Sequence, residues 1–415
     1  MRKPDGLRVA YIDFDSFFAT VEEQARPHLR GKPVGVIPFH TAAGTCIIAA
    51  NKIAKACGVT TGMAVREARI QCPDLVLQPQ SPDLYVRAHR KLVMEIEHIL
   101  PVGTVCSIDE LTCPVDSDWQ KDPAGLAAAI KEHLRKTVGP YITCSIGMGP
   151  NRLLAKIASE IEKPDGATIL HPDDLPGRLL DLRMSDLPGI GSRMRHRLAQ
   201  AGIHDIADLW NSQPRQLRAL WGTVNGERFW YALHGYDIAA KQTARSMYGH
   251  GRILPPDWRN MDKAWHCARL LTVKACRRLR RDGFVAGRLG LWLSAKEGRW
   301  GGEHPLDDVN DDRSCVQGLA DLWEQARANL PDAVRVKKLH VALYRLRPAE
   351  QRQFSLFGDT SANRQKWSTL SRIMDGLNGK YARTLVSLGP WTPPPGGYAG
   401  GKIAFARIPD MEDFW

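Results

Sequence analysis

Two carboxylates, Asp13 and Asp15, follow a β-prone run in "VAYIDFDSFFATVEE", Val9 to Glu23. Strict alternation along a strand points both to one face, where buried like charges repel unless a cation or a proton lies between them. A second acidic pair, Asp109 and Glu110, stands in "CSIDELTCPV", flanked by Cys106, Ile108, Leu111 and Val115. Adjacent strand residues point to opposite faces, so this pair shares one site only at a strand end, a hairpin or a local twist. Hard oxygen donors on such segments suit two magnesium ions roughly 3.5 to 4 Å apart, one activating an attacking hydroxyl and the other neutralising leaving phosphates. Nucleases, cyclases and polymerases all use paired carboxylates in this way, and any one of these acids taken alone is more often a solvated or capping residue.

The elements that must position these residues can be read coarsely. From residue 7 to about 170, β-prone runs ("LRVAYID", "PVGVIPF", "VCSIDELTCPV", "ITCSIGMG") alternate with helical patterns at Asp83 to Ile99 and Pro123 to Val138, an α+β or α/β arrangement. Short helices broken by Gly and Pro follow from about 171 to 236, and "YDIAAKQTARSMYGHG" reads as a linker. A second α+β unit comes next. Strand Ser246 to Leu254, helix Asp262 to Arg281, strand Ala286 to Ala295, a turn at Lys296 to Arg299, helix Ser314 to Ala328 and strand Val334 to Leu346 give the order βαββαβ. From Pro348 the composition turns polar and a flexible tail is expected.

Bulk properties narrow the partners. A formal net charge of +12 favours a polyanion, nucleic acid before membrane, because no apolar run is long enough to span a bilayer. Nine cysteines without C-x-x-C spacing read as reduced, mostly buried thiols, which suits a cytoplasmic protein. Asp13 interrupts the N-terminal apolar stretch, against a secretory signal.

Four segments, "YIDFDSFFATVEE", "IIAANKIAKACGV", "SIDE" and "GMGPNRLLAKIASEIEKPDG", stand in an order and spacing that resemble the Y-family translesion DNA polymerases (impB/mucB/samB), in particular the bacterial DinB and UmuC proteins. The resemblance runs from residue 7 to about 347 and implies a multidomain α+β right hand. By it, residues 1–25 and 80–170 form the palm, 26–79 the fingers, 171–238 a helical thumb, 239–248 a linker, 249–348 a βαββαβ little finger and 349–415 a tail. Asp13, Asp109 and Glu110 become the metal-binding carboxylates, joined by the Phe14 carbonyl, for two Mg2+ ions, with Mn2+ able to substitute. Asp15 is a supporting neighbour. Phe18, five residues after Asp13, matches the ring that excludes a ribose 2′-hydroxyl, with Phe17 beside it in the nucleotide site. On its own, Phe18 reads as a core aromatic. Lys156 matches the triphosphate-binding lysine. Lys52 and Lys55 stand where many DinB-like members carry Tyr and Arg, and lysine keeps the charge but loses the bidentate fork; Lys55 fits UmuC-like members better.

The DNA contacts are expected in two places. "SDLPGIGSRMRHRLAQAGIHDIADL" has the form of a helix-hairpin-helix, in which Gly189 and Gly191 let backbone N–H groups approach a phosphate and Arg193 adds charge. Arg277, Arg278 and Arg281 crowd one helix end, where they complement the helix dipole and could also face a duplex. "QFSLF" (Gln353, Phe354, Ser355, Leu356, Phe357) resembles the pentapeptide that docks bacterial polymerases on the β sliding clamp. Trp367, Leu370, Ile373, Met374 and Leu377 suit one face of a short tail helix, which either binds another repair protein or folds back on the little finger.

The leading expectation is therefore a bacterial, cytoplasmic DNA-templated DNA polymerase acting on primer-template DNA and dNTPs in low-fidelity translesion synthesis. A non-catalytic adaptor of the ImuB kind is the rival, disfavoured by the three acids. A nucleotide cyclase is the third reading, and neither the helix-hairpin-helix nor "QFSLF" suits it.

Overall fold

The computed structural model describes residues 3–38, 45–239, 244–331, 333–352, 361–391 and 408. The chain divides into two compact units, with the division between Lys241 and Gln242.

The first unit is built on a five-stranded sheet in the order Thr104–Val105, Glu110–Pro114, Val9–Phe14, Cys144–Gly149, Ala167–Ile169. Val9–Phe14 is central and antiparallel to both neighbours, with Asp13 opposite Glu110 on one side and Ser145 on the other. Its residues Ala10, Tyr11, Ile12 and Phe14 are all buried, so the strand is apolar on both faces up to the carboxylates at its end. The helices Pro82–Glu97 and Pro123–Thr137 pack on each other, and Arg152–Ile161 crosses from Cys144–Gly149 to the parallel strand Ala167–Ile169. That crossover lies against bare backbone. A Cβ on Gly147 would stand 2.1 Å from the Ala155 carbonyl oxygen and 2.2 Å from the Ser159 nitrogen.

A three-stranded sheet, Ala49–Ala50, Val34–Ile37, Val76–Pro79, carries the segment expected as fingers, with its own core of Ile37, Ile47, Ala54, Val59, Val65 and Leu75. Four short helices between Ser192 and Leu233 form the expected thumb. Their core of Leu187, Ile190, Leu198, Leu209 and Leu217 continues into Leu154, Ile157 and Ala158 of the crossover helix. Asn151 ties the same junction, donating to the carbonyls of Ala232 (2.7 Å) and Tyr236 (2.9 Å).

The second unit is a four-stranded antiparallel sheet in the order Arg299–Val309, Phe284–Ala295, Val336–Pro348, Met247–Ile253, with helices Met261–Arg281 and Asp312–Asn329. The βαββαβ order read from the sequence is the order found. Alternation is clean: Leu289, Leu291, Leu293, Leu339, Val341 and Leu343 enter the core, as half-buried antiparallel strands require. Met247 and Tyr248, expected in the linker, already pair with Tyr344 and Leu343.

The tail helix folds back on the second unit, one of the two fates expected of it, but through a different face. Ser361–Lys380 is a 20-residue helix, and the face it buries is not the apolar one. Ser371, Met374 and Asn378 are buried, whereas Leu370, Ile373 and Leu377 remain exposed. The reason is an ionic demand in the second unit. The Arg280 guanidinium, 3% exposed, sits between Asp312 (2.7 Å) and the tail's Asp375 (2.7 Å), and Ser371 accepts from the Asp312 amide. A buried guanidinium needs its donors satisfied, so the polar face docks.

All nine cysteines are free and six are buried. Among the described residues, no helix is long and apolar enough to cross a membrane.

Gly147→Ala should overpack the crossover and destabilise the first unit by about 1–3 kcal/mol. An unchanged denaturant midpoint would contradict the close approach of helix and strand.

Candidate active site

The acids converge because their strands end together. Asp13 stands one residue before the end of one strand and Glu110 opens the next, directly opposite. Glu160, from the crossover helix, completes a group whose carboxylate oxygens with Asp13 and Glu110 all lie within 4.8 Å of one another. Two lysines pair with the group and offset part of its charge. Lys163 Nζ is 2.7 Å from Asp13 Oδ2 and 3.0 Å from Glu160 Oε1, while Lys156 pairs with Glu110 and stands over the Tyr11 ring. Lys156, Glu160 and Lys163 recur at helical spacing, which is the signal in the sequence that points to one face. Lys163 and Glu160 lie within the fourth resembling segment, but the sequence assigns neither a role.

Asp109 precedes its strand, in the bend after Ser107, so strand alternation does not separate it from Glu110. Its Oδ1 accepts from Ser107 Oγ, and its carbonyl accepts from the Phe14 amide at 2.8 Å. The carboxyl is half-buried and within the electrostatic reach of Glu110 and Lys163. Asp15 is fully engaged elsewhere: Thr143 Oγ1 (2.9 Å), Ser145 Oγ (2.7 Å) and the Asp165 amide (2.9 Å) all donate to it. The supposed same-face pair is thus resolved by the strand ending at Phe14, between the two acids.

The two facing acids differ in proton affinity. Burial pushes the Asp13 carboxyl up to about 7, against the pull of Lys163, with Glu160 and Glu110 adding repulsion. Burial also opposes ionisation of Glu110, but the hydrogen bond and charge of Lys156 outweigh it and leave that carboxyl below its usual value. Burial raises Asp109. Clustered carboxylates that need two ammonium groups for balance are a donor set that fits hard divalent cations.

Phe18 follows in the helix Phe17–Ala25. Its half-buried ring stacks on Tyr85, with centroids 4.6 Å apart at 22°, and Tyr85 is fixed by its hydroxyl donating to Glu22 at 2.7 Å. The Phe17 ring, expected beside Phe18 in the nucleotide site, is instead a core ring, 2% exposed and packed among Phe14, Phe18 and Tyr85. Lys52 and Lys55 stand exposed on helix Lys52–Ala56, whose cap Asn51 also binds Glu23 (2.8 Å); neither lysine joins the ion pairs of the carboxylate group.

Gly189, at φ +89°, and Gly191 lie exposed before helix Ser192–Gln200, with nothing within 4 Å of where a Cβ would be. Arg193 is exposed beside them. A groove of about 670 Å³ joins this turn to Lys156 and Glu160. The arginines of the second unit do not form the expected open row. Arg277 and Arg278 are each only 7% exposed; Arg277 pairs with Asp375, and Arg278 donates to the Gly249 carbonyl. The tail helix and the sheet hold them, so they are not an open cationic row. Arg281 is partly exposed and pairs with Asp282. What the unit leaves open instead is the outer face of its sheet. Trp292 lies across Gly290 and Gly301 beside His340, and Arg299 and Lys338 are exposed nearby on the same face. Gln353–Phe357 lies outside the described residues.

Comparison with known proteins follows this geometry. A family model described as the impB/mucB/samB family matches residues 12–160, one described as the DNA polymerase-iota thumb domain matches 185–237, and the impB/mucB/samB C-terminal domain matches 245–356. A DNA polymerase IV of Moorella thermoacetica is 33% identical over 91% of this chain and 94% of its own. A DNA polymerase IV of Pelotomaculum thermopropionicum is 30% identical over 92% and 96%. Among solved structures, a Y-family DNA polymerase chimera of Dbh and Dpo4 superposes with a TM-score of 0.69 at 22% identity, covering 81% of this chain and 98% of the chimera, a likeness of fold. The chain belongs to the impB/mucB/samB family, the Y-family DNA polymerases.

Proposed function

We propose that Asp13, Asp109 and Glu110 carry nucleotidyl transfer to a primer 3′-hydroxyl, with Mg2+ as the divalent ion. The chain is a DNA-directed DNA polymerase of the translesion kind, as its relatives named DNA polymerase IV are polymerases over nearly its whole length. The observation that carries the residue assignment is the facing of Asp13 and Glu110 across paired strands, each neutralised by a lysine. Divalent ions held there would stabilise charge on the attacking hydroxyl and the departing pyrophosphate. Lys156 and Lys163, exchanged out of their ion pairs, are then available to the triphosphate. Phe18, at the other end of the same turn, presents its ring edge to the sugar. An adaptor that only binds DNA has no use for this clustered acidic group, which disfavours the non-catalytic reading.

The glycine turn with Arg193 and the outer sheet face with Trp292, Arg299 and Lys338 are the surfaces we assign to primer-template DNA, in place of Arg277 and Arg278. Gln353–Phe357 is assigned to the sliding clamp on its sequence, as a short tether that raises effective concentration.

Primer extension titrated with Mg2+ between pH 6 and 8 tests the site. Glu110→Gln should lose about 10³-fold or more in rate, the several kcal/mol a bound cation supplies. In the wild type a proton on Asp13 competes with the ion, so apparent metal affinity should rise about tenfold per pH unit up to about 7 and then level. A Glu110→Gln enzyme as active as wild type sinks the assignment, and a flat affinity profile contradicts the buried Asp13 carboxyl.

Phe18→Ala should raise ribonucleotide incorporation by roughly 10- to 200-fold, the range over which a pocket rejects one small group by shape. Unchanged sugar selectivity removes the gate. Deleting 353–357 should abolish stimulation by the clamp and spare basal extension; stimulation that survives places the contact elsewhere.

A further inference from the structure

The helices Pro82–Glu97 and Pro123–Thr137 bring a second set of ligating side chains together, sharing no residue with the carboxylate group. Glu95 lies in the last turn of the first helix, His98 caps that helix, and His133 comes from the second. His133 Nε2 is 2.7 Å and His98 Nδ1 3.8 Å from the same oxygen, Glu95 Oε2, and the three ligand atoms all lie within 4.8 Å of one another. Glu95 is 7% exposed, His133 30% and His98 61%, so the carboxylate forms the floor and the exposed imidazole the rim. Lys91 donates a hydrogen bond to the other oxygen, Glu95 Oε1.

We propose that Glu95, His98 and His133 form a binding site for a d-block divalent cation of the zinc class, clamping the two helices. Two imidazole nitrogens and one carboxylate oxygen are the ligand set of open zinc sites, whereas magnesium prefers an all-oxygen shell. Ligands about 2.1 Å from a tetrahedral ion stand about 3.4 Å apart, which the present spacings straddle. Closing the set needs mainly a rotation of His98, which is exposed and free to turn. The solvent side leaves a fourth position for water. Lys91 beside the floor repels a dication and weakens the site. The competing account is a plain hydrogen bond between His133 and Glu95 that already fastens the helices and needs no ion.

Calorimetric titration of the full chain with Zn2+, in saturating Mg2+ and reducing agent, distinguishes them. The wild type should bind one more Zn2+ than His98→Ala or His133→Ala, and Zn2+ should raise the wild-type melting temperature more than that of either variant. His98 is a rim residue, so its variant keeps the fold, and its extension rate in Mg2+ should be unchanged. Co2+ should give tetrahedral d–d absorption in the wild type that both variants lose. Equal Zn2+ stoichiometry and affinity in the wild type and His98→Ala, or no such Co2+ band in the wild type, overturns the site.

Discussion

Asp13 set against Glu110 is the constraint on which the first unit depends. Antiparallel register fixes the two acids opposite each other at adjoining strand ends, so their repulsion cannot be relieved by sliding the strands without turning a buried face outward. Relief has to come from outside the strand pair. The crossover helix supplies it, through Lys156 on one acid and, just beyond the helix, Lys163 on the other. That in turn requires the helix to lie close, and Gly147 is what allows the backbones to approach. The apolar side of the same helix extends the core of the thumb, so the element that balances the charge also anchors the domain expected to hold DNA.

The second unit applies the same electrostatic logic to a different end. Arg280 is nearly inaccessible, and a single carboxylate, Asp312, leaves part of its fork unsatisfied; Asp375 completes it. The tail helix is therefore held by a polar face, and its apolar residues Leu370, Ile373 and Leu377 stay in solvent. Hydrophobic periodicity alone predicts the opposite docking, because it carries no term for a buried cation in need of a partner.

This explains which features could be read from the sequence. The βαββαβ order was legible because its strands alternate and its helices are long. The carboxylates were legible as types and spacing, but not their relations: that Asp109 falls in a bend before its strand, and that Asp15 is consumed by Thr143, Ser145 and Asp165, depend on where strands end, which is the least determined property of a local pattern. Phe17 and Phe18 differ by one position and by fate, one in the core and one against Tyr85 at the edge, and only tertiary packing separates them. Arg277 and Arg278 read as a solvent-facing row because their partners, Asp375 and the Gly249 carbonyl, are remote in sequence. Lys163 is not legible for a related reason: its contact with Asp13 spans 150 residues (163 − 13).

The inequality between the facing acids also bears on how the site is poised. Glu110 is ionised well below neutrality through Lys156, so it offers a ready anionic ligand. Asp13 is balanced near neutrality, because burial, with two neighbouring carboxylates adding to it, outweighs the benefit of Lys163. A fully ionised pair would demand still more counter-charge and a neutral pair would attract no cation. Holding one acid charged and the other at its threshold keeps the empty site tolerable to the fold while leaving a strong incentive for a dication to enter and drive off the remaining proton. The lysines set that threshold, and their flexibility lets the same two positive charges be redirected to a polyphosphate once the acids have another partner.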